Sequence, residues 1–222
     1  MDDAARPPVR AHLRFAADSA AFAGLDLAAR FDRIHATNLW GAVTSRAGLG
    51  SEAGATLSLA TALPRLLQRL GVVALLDAPC GDTRWLPPIA GIAYTGVDIV
   101  PALIDAARAG GGDYRLADIT RDPLPLADTI LCRDCLVHLS FANITRAVAN
   151  FRASGATWLL ATTFPGLQAN IDCHDGDWRA LNFTLPPFGW PQPVETIVED
   201  CTEGSGGWAD KAIGVWRLAS LA

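Results

Sequence analysis

Lysine is almost absent from this chain. Lys211 is the only one among 18 basic residues, and the arginines are scattered rather than clustered. The net charge is −5, so the basic face expected of a nucleic-acid binder is missing. Alanine is abundant and arginine stands in for lysine, a bias that points to a GC-rich genome rather than to a function. Half of the residues are apolar, yet no run approaches the roughly 18 residues a membrane helix needs. Met1 to Arg10 carries both charge signs with no apolar block behind it, which argues against a secretory signal. Cysteines are few and odd in number, at five. That pattern excludes a disulfide framework and favours reduced thiols in the cytoplasm. Repeats, linkers and low-complexity segments are also missing. With 222 residues, the chain can bury one substantial core.

What is present begins at Leu75-Leu76-Asp77-Ala78-Pro79-Cys80-Gly81-Asp82-Thr83. The apolar run Val72 to Leu76 ends in a carboxylate and a turn of small residues. A second run, Tyr94-Thr95-Gly96-Val97-Asp98, ends the same way. A turn after the first strand and a carboxylate about 20 residues on form the layout of a βαβ nucleotide site. The loop lacks the G-x-G-x-x-G spacing of a dinucleotide binder.

The rest of the chain punctuates itself clearly. Residues 1–30 read as an Ala-rich, partly amphipathic helical region after a flexible start. Phe31 to Ser51 reads as a loop on its glycines and serines, and a loop of that length is more often functional than idle. Leu57 to Leu70 reads as a helix broken or kinked near Pro64 and stopped by Gly71. Strands are expected at Val72–Asp77, Ala93–Asp98, Tyr114–Ala117, Thr129–Arg133 and Thr157–Thr163. Helices are expected between them at Thr83–Ala90, limited by Pro87 and Pro88, at Pro101–Ala109 and at Phe141–Ala153, the last with Ser140 as N-cap. Val194–Asp200 and Ala212–Leu218 read as two further strands joined by the Gly-rich Thr202–Asp210. Such alternation argues for a mostly parallel sheet covered by helices on both faces.

Ligands of open α/β sheets sit beyond the carboxyl ends of the strands. Asp77, Asp98, Asp118 and the Cys132-Arg133-Asp134-Cys135 stretch all fall at such ends. With the Asp77–Thr83 loop, this ordered set resembles the first four motifs of class I S-adenosylmethionine-dependent methyltransferases. The usual first motif is acidic-x-Gly-x-Gly-x-Gly; this chain has Pro79 and Thr83 at two of its glycine positions. The resemblance covers Val72 to Leu218 at fold level. It implies a Rossmann-like sheet of seven strands in the order 3-2-1-4-5-7-6, the last strand antiparallel, with an N-terminal helical cap. Residues 1–55 would form that cap and residues 56–222 the methyltransferase domain.

The resemblance also implies roles. Asp77, Ala78, Pro79, Cys80, Gly81 and Asp82 would hold the methionine part of S-adenosyl-L-methionine, with Trp85 packing beside it. Asp98 would take both ribose hydroxyls. Asp118 would accept the adenine amino group, with Ile99 and Ile119 on the ring and Cys132 at the end of the fourth strand. Asp134 and His138 are the candidate bases, and Arg133 would orient an anionic group. Trp40–Ser51 would serve as a lid. Asn170 to Phe188, dense in polar and aromatic residues, would supply the acceptor pocket.

The implied reaction moves a methyl group to an oxygen or nitrogen of a small molecule, with a sugar or natural-product intermediate as the first expectation. Neither a nucleic acid nor a membrane is an expected partner, and the oligomeric state is left between monomer and homodimer. Two rivals stand beside this reading: a non-catalytic module that keeps the cofactor site, and an NAD-dependent oxidoreductase. The loop spacing and the lack of a Tyr-x-x-x-Lys pair argue against the latter. No metal is expected, although Asp172, Asp175 and Asp177 could join Asp134 around a divalent ion. Cys132-x-x-Cys135 with Cys173 and His174 matches no standard zinc spacing.

Overall fold

The computed structural model describes Arg6 to Leu221. The flexible start expected at the N-terminus lies outside the described residues up to position 5. Five helices are described: α1 (Arg10–Ala17), α2 (Leu27–Thr37), α3 (Ala53–Arg69), α4 (Pro101–Ala109) and α5 (Phe141–Ala153). Seven strands form one sheet: β1 (Ala74–Asp77), β2 (Ala93–Asp98), β3 (Asp113–Leu116), β4 (Thr129–Cys132), β5 (Trp158–Thr163), β6 (Glu195–Val198) and β7 (Ala212–Arg217). Their order is β3-β2-β1-β4-β5-β7-β6. β7 runs antiparallel to both neighbours, and the other pairings are parallel. The expected topology is the observed one.

Two apolar layers explain the sheet. Leu75, Leu131 and Leu160 face α3, whose Leu59, Leu63, Leu66 and Leu67 recur at helical spacing and are fully buried. Leu76, Ile130 and Leu159 face α5, which presents Ile144, Ala147, Val148 and Phe151. Central strands are therefore apolar at consecutive positions, as strands covered on both faces must be. Helix ends follow local chemistry. The Asp26 side chain accepts from the Ala29 amide at 2.8 Å to start α2, and Ser140 accepts from Asn143 to start α5. Pro101 opens α4, where its missing N–H costs nothing.

Three expectations are corrected. Thr83–Ala90 is not a helix but a run of turns. Pro87 and Pro88 remove two consecutive donors and hold the residues before them extended. Leu86 still reaches the α3 side of the core, with Trp85, Ile89 and Ile92 against it. Phe31–Thr37 is helical, not loop, because Ile34 completes an apolar stripe with Phe15, Phe22 and Leu39; Asn38, at φ 48°, ends that helix. Finally, α3 runs unbroken through Pro64 and begins four residues earlier than expected, at Ala53. Packing of its leucine face outweighs the one bond Pro64 cannot make.

Candidate active site

The strand order reverses between β1 and β4, and a cavity opens there. Asp77, the last residue of β1, lies opposite Gly96 of β2 and Leu131 of β4. Asp98 ends β2 and Asp118 follows β3. All three carboxylates are buried and line the cavity. So do Pro79, Cys80, Gly81, Trp85, Ile99, Ile119, Arg133, Asp134 and His138. Three expected contacts do not reach it. Ala78 is wholly buried and donates its amide to the Leu131 carbonyl at 2.8 Å. Cys132 points into the α5 side of the core. Asp82 does not line the cavity, and both of its carboxylate oxygens are buried without a hydrogen bond to the described residues.

The loop after β1 spends its amides internally. Cys80 donates to the Val97 carbonyl at 2.8 Å, Gly81 to Asp98 Oδ2 at 3.0 Å and Thr83 to the Cys80 carbonyl at 3.3 Å. Pro79 has no amide to give. Among residues 78–83, the Asp82 amide alone makes no hydrogen bond to the described residues. Thr83 sits at φ 59°, the left-handed conformation that a glycine would adopt without cost.

Burial tunes the carboxylates. Asp77 is pushed up to about 7 by loss of water and by Asp98, against the pull of the Tyr94 hydroxyl, which donates to it at 2.8 Å, and of Arg133. Asp98 is pushed up to about 6 by burial, although the amides of Val100 (2.9 Å) and Gly81 stabilise its charge. Each Asp98 oxygen thus keeps acceptor capacity for a ligand. Asp118 Oδ1 already accepts from the Thr120 amide and hydroxyl at 2.9 and 2.7 Å, which leaves Oδ2, 3.3 Å from Arg121 Nε.

Beyond β4, the chain turns through Asp134 at φ 49°. Its amide donates to Thr162 Oγ1 at 2.7 Å. Burial would raise the Asp134 carboxyl, but Lys211 Nζ at 2.6 Å and Arg133 at 3.4 Å hold it below the ordinary carboxylate range. Arg133 is committed in turn: it donates to Glu199 Oε2 at 2.9 and 2.5 Å and lies 5.1 Å from the Trp85 ring centre. His138 differs from both. Its Nδ1 lies 2.7 Å from the Asp177 carbonyl oxygen, a contact that places the proton on Nδ1. Its ring stacks on Trp40 at 4.2 Å. Burial lowers it to about 4, despite the opposing pull of the Asp177 carbonyl and of Asp134. Neutral, with Nε2 free of hydrogen bonds to the described residues, it is the better base of the two candidates.

Part of the segment expected as a lid reaches the cavity wall, and more of the N-terminal region joins it. Trp40, Arg46, Ala47 and Ser51 line the cavity, together with Leu27, Phe31, Ile34 and His35 of α2. A Cβ at Gly50 would lie 2.3 Å from Asp134 Oδ2, so only glycine lets the lid pass there. Glu52 ties the lid down by accepting from the amides of Val43 (2.6 Å) and Thr44 (2.8 Å). Of the Asn170–Phe188 segment, Trp178 alone reaches the inner cavities. Residues 171–175 and 177–180 line a separate, larger cavity of about 880 Å³, and polar and aromatic side chains of the segment also brace the fold. Asn170 donates to the carbonyls of Asn182 and Pro186 at 2.9 Å, and Phe183 stacks on Trp190 while Phe188 meets it edge on. Asp172, Asp175 and Asp177 accept hydrogen bonds from Phe141, Ser140 and Trp178 amides. No group of three or more metal-ligating side chains gathers among the described residues. Sequence reasoning missed Lys211, His35 and Arg46; the pairing of Lys211 with Asp134, 77 residues away, is visible only in three dimensions.

This sheet order, with one antiparallel strand and a helix layer on each face, is the fold of class I S-adenosylmethionine-dependent methyltransferases. The chain aligns with the 1,6-didemethyltoxoflavin-N1-methyltransferase of Burkholderia thailandensis, solved with its substrate and S-adenosylhomocysteine, at TM-score 0.58 and 17% identity. That match covers 98% of this chain and 97% of the other. The magnesium protoporphyrin IX methyltransferase of Synechocystis PCC 6803 matches at TM-score 0.49 and 16% identity, over 65% of this chain and 79% of its own. The sugar N-methyltransferase KedS8 of Streptoalloteichus sp ATCC 53650 matches at TM-score 0.42 and 23% identity, over 58% and 55%. No protein-family model and no curated protein matches the sequence. No helix among the described residues is long and apolar enough to cross a membrane.

Proposed function

We propose that this chain is an S-adenosylmethionine-dependent methyltransferase that modifies an oxygen or nitrogen of a small molecule. The observation that carries the reading is convergence. Three strand-end carboxylates, the loop after β1 and a neutral histidine line one cavity at the reversal of strand order. Asp98 fits the ribose hydroxyls, because each of its buried oxygens has a lone pair left. Asp118 fits the adenine amino group through Oδ2, with Ile99 and Ile119 beside the ring. Asp77 and the Pro79–Gly81 turn face the methionine part. Bound S-adenosylmethionine supplies a methyl group already activated on a sulfonium.

The protein then has two tasks, to align the acceptor and to take its proton. His138 Nε2 receives that proton while Nδ1 keeps its own, donated to the Asp177 carbonyl oxygen. Asp134, held anionic by Lys211 and Arg133, is a positioning residue that stabilises the imidazolium as it forms. Arg133 keeps Asp134 in place rather than reaching for substrate.

Residues 1–55 act as the cap and residues 56–222 as the methyltransferase domain. The cavity at the reversal of strand order holds about 100 Å³, whereas ligand sites usually hold roughly 300 Å³ or more. The cap therefore swings aside to admit the cofactor. Five free thiols among the described residues suit a cytoplasmic location.

The test is calorimetric titration with S-adenosylhomocysteine, with NAD in a parallel run. Micromolar binding of the former alone supports the reading, and an acceptor screen follows. Binding without turnover of any acceptor would favour the non-catalytic module. No binding would reduce the likeness to one of fold.

A further inference from the structure

A second, smaller cavity of about 40 Å³ abuts the first, shares Trp40, Ala47, Asp134 and His138 with it, and like it admits a ligand only when the cap moves aside. Its wall holds His138 and Asp134 but no residue of the β1 loop, so in the proposed reaction it suits the methyl acceptor rather than the cofactor. Its walls are aromatic. Phe164, Trp178 and Trp208 meet edge to face, with ring centres 4.9 to 5.8 Å apart. The Trp208 ring has a cation over it already, the Arg6 guanidinium at 5.0 Å, itself paired to Asp210.

Charge at this cavity does not balance locally. Lys211 pairs with Asp134 at 2.6 Å and stands 3.8 Å from Glu199. Arg133 takes the rest of the Glu199 and Asp134 charge. Glu203, on the β6–β7 connection, also lines the cavity. Its carboxylate makes no hydrogen bond or ion pair with the described residues. Lys211 and Arg10 are the cations that act on it from a distance, with Asp134 opposing them. Lys211 and Arg133 thus contact Asp134 and Glu199, whereas Glu203 shares the cavity wall with the aromatic rings and has no cation in direct contact.

Resting on the methyltransferase reading, we infer that this cavity binds a flat, nitrogen-bearing acceptor that presents a cation or N–H group to Glu203. Ring faces attract cations through their quadrupoles. A half-buried carboxylate without a partner favours the same ligands and repels anions. A carboxylate- or phosphate-bearing acceptor would meet Glu203 with no cation in direct contact to offset it, Lys211 being taken by Asp134.

The experiment compares three isosteric probes of different charge: benzamidinium, benzamide and benzoate. Binding to the full chain is followed by saturation-transfer NMR, with and without S-adenosylhomocysteine. Benzamidinium should bind about tenfold more tightly than benzoate, with benzamide between them. Glu203→Gln should abolish that order, and Trp178→Leu should weaken all three probes. Equal or tighter binding of benzoate, no binding of any probe, or an order unchanged in Glu203→Gln would overturn the inference. Calorimetry with S-adenosylhomocysteine on the same samples checks the fold of each variant. It also separates the two failures, because loss of cofactor-analogue binding in the native chain sinks the methyltransferase reading. The probe order measured without the analogue still decides the cavity.

Discussion

Asp77→Asn should stabilise this protein, and by an amount that depends on pH. The Asp77 carboxyl has an ordinary value of 3.8 and is pushed up to about 7 in the fold by burial. Below pH 4 the group is neutral whether the chain is folded or not, and it contributes no difference. As pH rises from 4 to 7, the unfolded chain loses this proton and the folded chain keeps it. The unfolded state therefore gains about 1.36 kcal/mol per pH unit. Above pH 7 both forms are ionised, and the folded state carries an accumulated penalty of about 4 kcal/mol as an upper value. Asparagine cannot ionise and can still accept the Tyr94 hydroxyl. The variant should match the native chain near pH 4 and exceed it at pH 8. For a chain of this size the gain is about 10 °C in Tm. Asp98 slopes the same way but is common to both proteins and cancels in the difference. The assay is thermal unfolding of the ligand-free protein at half-unit steps from pH 4 to 8.5. A Tm difference that does not change with pH, or that shrinks as pH rises, would refute the reasoning. A site that holds an ionisable group against its solvation is a marker of function rather than stability.

Four further outcomes follow from the same geometry. Asp98→Asn should keep the fold and weaken S-adenosylhomocysteine about a hundredfold by calorimetry, through loss of charge-assisted acceptors; unchanged affinity would remove Asp98 from the ribose site. His138→Ala should lower turnover roughly 10²- to 10⁴-fold while leaving cofactor affinity nearly intact, and native turnover should fall only as pH drops through about 4, where His138 protonates. Glu52 is held down to about 2 by the Thr44 hydroxyl and the amides of residues 43–45; Glu52→Gln should loosen the lid, seen as faster limited proteolysis within residues 38–52 and weaker cofactor binding. Lys211→Met should lower stability by about 3 kcal/mol in urea titrations, because it strips a buried partner from Asp134 and Glu199; a neutral result would mean that Arg133 alone balances both carboxylates.

Much of this molecule is legible in one dimension. The strands of the sheet, the turn after β1 and the carboxylates of Asp77, Asp98 and Asp118 were all readable from apolar runs ending in acids. Such runs report burial on both faces, and a residue at the end of a run is carried to the edge of the sheet whatever else the chain does. The Ser140 cap and the Pro101 start were readable for a similar reason, because each acts within three or four residues. What resisted reading acts over long separations. Phe31–Thr37 is a helix because Ile34 meets Phe15 and Phe22, contacts absent from its local composition. Thr83–Ala90 is not a helix although a crossover between parallel strands usually holds one; paired prolines win over topology. Asn170–Phe188 has the composition of a recognition loop, but most of it braces the turn that carries His138. Lys211 is the clearest case. It stands alone in sequence, 77 residues from Asp134. The antiparallel course of β7 starts that strand at the carboxyl end of the sheet and delivers Lys211 to the cavity. Short-range patterns decide which segments become strands and helices, because burial and capping are local. Partnership between charges depends on which strand lies beside which and in what direction, and that is settled only when the sheet assembles.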